Sequence, residues 1–248
     1  VQNYADEAYK TAGLSANEYM ETVTGFSASL IQGLGGDTQQ AAELANRAIT
    51  DMADNSNKMG TDMNSLMSAY QGFAKQNYTM LDNLKLGYGG TQQEMVRLIN
   101  DSGILDEKIE SLDGISFDQI IQAIGKIQDN LGITGTTAEE AEKTIQGSSK
   151  AMEAAWNNLL TGMADGNQDF SKLVDNFVDS VLKFGENMIP RIKTTIEGMG
   201  TLVDELAKNL LPDIIAELTA EMPGFLAAIS SLFSSIGQSL LTALPEIS

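Results

Sequence analysis

The chain has 248 residues, no cysteine, no histidine and a formal net charge of −19, from 34 acids and 15 bases. Those absences remove disulfides, thiolate chemistry, Ser-His-Asp and Cys-His sets and the usual zinc ligand sets, and the acidity, spread along the chain with no basic tail, argues against direct nucleic-acid binding. Hydrophobic residues make up 42% of the chain but aromatic residues only 6%, so the apolar surface is carried by Leu, Ile, Met and Ala, which suits helices.

Helix signals are dense from the start. Ser15 and Glu18 form a capping box, in which the hydroxyl takes an orphan amide and the carboxylate reaches back. Tyr19, Val23, Phe26 and Leu30 follow on one face. Gly33 to Gly36 stop that helix. Asp37 caps the next, whose stripe is Ala41, Leu44, Ala45, Ala48 and Met52. The polar run Asp54 to Lys58 and Gly60 end it. A third helix carries Met63, Leu66, Met67, Tyr70, Phe73 and Ala74. Thr79 opens a short helix with Met80, Leu81 and Leu84 inward. Gly87, Gly89 and Gly90, around Tyr88, form a hinge, and Thr91 with Glu94 caps the helix after it.

The stretch from Asn100 to Ser116 is the least periodic and marks a boundary at residue 115. Ser116 and Gln119 then open a strong amphipathic helix with Phe117, Ile120, Ile121, Ile124 and Ile127. Thr137 caps a short helix ending at Gly147. Ser149 begins another, with Met152, Ala155, Trp156, Leu159, Leu160 and Met163 on one side. Phe170, Leu173, Val174, Phe177, Val181 and Met188 recur at helical spacing. Pro190 is expected near the start of the next helix, which carries Ile196, Val203, Leu206 and Leu210. The reading is an all-α fold: an N-terminal helical bundle, then long amphipathic helices, elongated or oligomeric. Its divisions are residues 1–115, 116–165 and 166–248.

No constellation carries chemistry. Asp165 to Asp169 resembles the opening of a calcium loop. That loop needs a glycine where Phe170 stands and a bidentate Glu where Asn176 stands, so a solvated turn is expected. Glu139, Glu140 and Glu142 read as complements to a helix N-terminal dipole. Asp51 and Asp54, three apart, read as a solvated polar face. The glycines at 87–90 lack the dinucleotide pattern, because position 92 is Gln and no strand precedes them. No catalytic residue, metal or cofactor is expected, and the chain reads as a non-enzyme.

The C-terminal texture differs. Residues 222 to 245 contain no charge. Met222, Leu226, Ile229, Phe233, Ile236 and Leu240 repeat at spacings of three and four, an a/d seam for self-association or a partner helix. The run is long enough to span a bilayer, so contact with a membrane is the alternative reading. Its six Ser/Thr and one Gln, and its acidic flanks, count against that.

One stretch is specific in a different way. Met59 to Met63, then Tyr70-Gln71-Gly72-Phe73-Ala74-Lys75-Gln76-Asn77-Tyr78, then Met80 to Thr91, resemble the core region of phage tail tape measure proteins. Thr144 to Ser149 with Ala154-Ala155-Trp156-Asn157-Asn158-Leu159-Leu160 extend the resemblance over about residues 15 to 165. It implies a structural protein of the virion tail, made in the host cytoplasm. Several copies, a trimer or hexamer, would lie in the tail tube, set its length, nucleate its assembly and leave on genome ejection. The implied partners are the tube protein, the distal tip or baseplate hub and assembly chaperones. Such proteins exceed this length, so the chain reads as one region. The alternative reading is a membrane-active helical protein forming a pore in the host envelope.

Overall fold

Ten α-helices and one 3₁₀ turn, with no strand among the described residues, make up the computed structural model. It describes residues 1–164 and 169–209. The all-α class expected from the sequence is therefore what the chain adopts. Residues 165–168, which carry most of the calcium-like loop, and the seam from Met222 to Leu240 lie outside the described residues.

The helices are α1 (Gln2–Thr11), α2 (Ala16–Thr24), α3 (Ser27–Gly33), α4 (Thr38–Met59) and α5 (Met63–Phe73). The 3₁₀ turn (Leu81–Leu84) leads to α6 (Gln92–Ser102), α7 (Phe117–Asn130), α8 (Thr136–Lys143), α9 (Ile145–Ala164) and α10 (Phe170–Asn209). The chain divides into two units, Val1–Ile189 and Pro190–Ser248. In the second, the described residues continue α10 to Asn209.

The first unit is built around α4. Its Ala41, Ala45, Ala48, Ile49 and Met52 are buried with Leu30 of α3, Tyr70 and Phe73 of α5, Leu98 of α6 and Ile120 to Ile127 of α7. Small alanines on α4 let neighbouring helices approach, and the larger side chains fill the gaps. Phe26 meets Phe117 edge-on at 6.0 Å, and Phe73 stacks on Tyr78 at 6.2 Å. On either side of residue 115, α6 and α7 both bury side chains in this core. A smaller cluster of Tyr9, Ala141, Ala151, Ala154 and Ala155, with Phe177 against it, joins α1, α8, α9 and α10.

Local signals account for many helix ends. The capping boxes at Ser15/Glu18 and Ser116/Gln119 are both formed, and Asp37 caps α4. Gly60 closes α4 in the left-handed conformation. Other ends differ. The stripe from Tyr19 to Leu30 is split between α2 and α3 at Gly25 and Phe26. The expected helix after Thr79 is a 3₁₀ turn with Met80 exposed. Pro190 lies inside α10, where its missing N–H removes one ladder bond.

Candidate functional site

The stretch from Tyr70 to Leu98 folds as the end of α5, the 3₁₀ turn, a glycine loop and the start of α6. Two buried side chains tie the turn back to α4 and its exit. Asn55 Nδ2 donates to the Leu84 carbonyl at 2.8 Å, and Thr61 Oγ1 donates to that of Asn83 at 2.8 Å. The three glycines play unequal parts. Gly87 has φ +88°, open to glycine at little cost, and a Cβ on Gly90 would overlap the Thr79 carbonyl. Gly89 has ordinary room for a side chain.

The expected hinge is fastened by α6. Glu94 accepts the Gly89 N–H at 3.0 Å, and Arg97 donates to the Gly87 carbonyl at 2.7 Å. The Arg97 guanidinium lies 4.4 Å from the Tyr88 ring centroid, and the Tyr88 hydroxyl donates to Asp101 at 3.0 Å. Burial, then Asp101, push the Tyr88 hydroxyl up to about 12. Glu94 therefore serves the loop before α6, where the sequence motif has it reach back to Thr91. The Thr91 hydroxyl still caps the Glu94 N–H at 3.2 Å.

Asp51 and Asp54 correct the expectation of a solvated face, since both are 0% exposed. Arg47 Nε holds both oxygens of Asp51 at 2.8 Å, and its Nη2 donates to the Gly125 carbonyl and to Asp129 on α7. Burial raises the Asp51 carboxyl to about 7 in spite of Arg47. Asp54 accepts the N–H groups of Gly135 at 2.6 Å and Thr137 at 2.8 Å. It supplies to α8 the cap that Gly135, at the N-cap position, has no side chain to give. The expected cap, Thr137, sits inside the helix and is buried. A cluster of three or more metal-ligating side chains is absent among the described residues.

An open groove of about 640 Å³ runs between α1, α8, α9 and α10, lined by Tyr9, Lys10, Glu139, Lys143, Asp179 and Lys183 among others. Lys143 pairs with Glu139 at 2.8 Å and Lys183 with Glu186 at 2.9 Å. The groove's serines, Ser148 and Ser180, donate to the carbonyls of Thr144 and Asn176 on their own side of the helix ladder. Each hydroxyl is thus engaged with a backbone carbonyl one turn before it. The groove offers surface for contact.

The apolar surface of the first unit points the same way. Trp156, Leu160 and Met163, expected together on one side of their helix, are exposed. The Trp156 ring lies 5.1 Å from that of Phe177. On α10, Leu173 and Ser180 are buried, and Asn187 Nδ2 donates to the Thr144 carbonyl at 3.2 Å. Val178, Val181, Leu182 and Ile189 of the same helix are exposed. This uncovered side of α10 is the candidate site, and sequence periodicity alone did not separate it from the covered side. Among the described residues, no helix is long and apolar enough to cross a membrane. Comparison of the chain with protein-family models, curated proteins and solved structures returned no match.

Proposed function

We propose that the chain is a tape measure region of a phage tail, a structural element that occupies the tail tube or tip and leaves it before the genome passes. The observation that carries the reading is the ordered run from Tyr70 to Thr91, glycines included, which resembles the core of that family. The uncovered apolar side of α10 suits a protein whose work is done by lateral contact. Helix also turns residue count into length at about 1.5 Å per residue, so a fully helical chain of this size reaches roughly 370 Å.

Cross-linking of purified particles tests the reading. Cross-links between this chain and tube or tip proteins are expected. Their complete absence, with the chain present in the particle, would sink it. The uncharged run from Met222 to Pro245 supports a second reading, a membrane-active segment. Liposome leakage by the full chain, lost on Phe233→Asp, would favour that one, and no leakage at any pH would remove it.

A further inference from the structure

Arg47, Asp51 and Asn55 recur one per helical turn along a single face of α4, the helix at the centre of the first unit's core. Asp51 and Asn55 are buried. Two further elements meet this polar stripe. Tyr70 of α5, buried as well, lies within electrostatic reach of Asp51 and Arg47. Gly125 of α7 packs so closely that a Cβ on it would fall 2.7 Å from Asp51. Gln128 follows Gly125 by about one turn on the same side of α7 and is 0% exposed.

The stripe is satisfied unevenly. Arg47 holds both oxygens of Asp51, and Asn55 Nδ2 donates to the Leu84 carbonyl. Asn55 Oδ1, the Tyr70 hydroxyl and both amide atoms of Gln128 have no hydrogen-bond partner among the described residues. The Gln128 backbone is engaged, since its carbonyl accepts the Ile133 N–H at 3.0 Å. The side chain alone is left over. Protein interiors keep few such atoms unpaired, because each forfeits its hydration with no bond in return. Three side chains from three helices share that condition along one stretch of α4.

The mixture of donors and acceptors decides what completes them. Gln128 Nε2 brings two N–H groups. Burial raises the Tyr70 hydroxyl well above its ordinary pKa, so it keeps its proton and donates. Asn55 Oδ1 and Gln128 Oε1 accept. A cation would serve the acceptors alone, an anion the donors alone, and an apolar molecule neither. Water serves both and is the smallest group that does. We propose that internal water bridges Gln128 to Asn55 and Tyr70 and forms a hydrated polar layer between α4, α5 and α7. The layer ends at the Arg47–Asp51 pair, so that pair stands beside water and not in a dry core.

The hydrated layer belongs to the folded first unit and does not rest on the tail reading. In the isotope-labelled full chain, the assigned side-chain amide of Gln128 is expected to show an NMR cross-relaxation peak with water. The peak should persist in Tyr70→Phe, where no hydroxyl proton can relay it. Tyr70→Phe is also expected to lower the urea midpoint, because the hydroxyl it removes is bonded. In a Gln128→Met background the same change should lower it less, because the shared water has already lost a partner. No water peak in the parent, a peak lost in Tyr70→Phe, a Tyr70→Phe midpoint equal to or above that of the parent, or an equal drop in both backgrounds would each overturn the proposal.

Discussion

The carboxylate of Asp54, on α4, accepts the backbone N–H of Thr137, on α8, at 2.8 Å across 83 residues of sequence. With the bond to Gly135 it replaces the cap that α8 lacks in its own sequence. Asp54→Ala would leave two amides at a part-buried helix start without an acceptor. The expected loss is about 2–3 kcal/mol in urea unfolding. Asp54→Asn, which keeps one acceptor oxygen, should recover part of it.

Asp51 predicts a pH dependence of stability. Its carboxyl titrates near 7 in the fold against 3.8 ordinarily, so the folded chain holds the proton more tightly. That contribution is complete below about pH 4 and is lost as pH rises through 7, at up to about 1.4 kcal/mol per pH unit. The charged groups facing it are Arg47, Asp129 and Asp54. Asp51→Asn should flatten the stability profile between roughly pH 4 and pH 7, as followed by chemical unfolding at a series of pH values. A profile identical to that of the parent would count against the buried assignment.

The three loop glycines should rank. Gly90→Ala meets backbone at Thr79 and is expected to cost about 1–3 kcal/mol. Gly87→Ala has open space but a left-handed φ, worth about 1–2 kcal/mol. Gly89→Ala should be near neutral. Thermal melts of the three variants test the order, and a costly Gly89→Ala would contradict it.

Arg97 joins the loop to α6 through the Gly87 carbonyl and the Tyr88 ring. Arg97→Ala should raise amide exchange at residues 87–90 while leaving the α4 core protected. Global stability should change little, because the contacts are largely exposed.

Where a helix end depends on its own neighbours, the sequence was enough. Ser15 with Glu18, Ser116 with Gln119, and Asp37 all cap as their spacing predicts. Where the partner is distant, it was not. Asp51 and Asp54 look like a wet face because nothing local marks Arg47 as bridging to Asp129, or Gly135 as needing a cap. Ala16, inside the first turn of α2, gives its N–H to Asn158 of α9 at 2.6 Å, a contact no local pattern announces. α1 (Gln2–Thr11) was missed because its buried face is Ala5, Ala8 and Tyr9, too weak a stripe to stand out. On α10 two apolar faces overlap in one sequence, and only burial told the covered one from the open one.

The uncovered side of α10 in the first unit also makes ionic strength a control on this molecule. A chain of net charge −19 keeps its copies apart in dilute buffer by long-range repulsion, which reaches about 30 Å at 0.01 M salt and about 8 Å at 0.15 M. Added salt shortens that reach without weakening apolar contact made through the exposed Leu182 and Ile189. Lateral association through α10 should therefore strengthen with salt, the reverse of what an interface held by ion pairs would do.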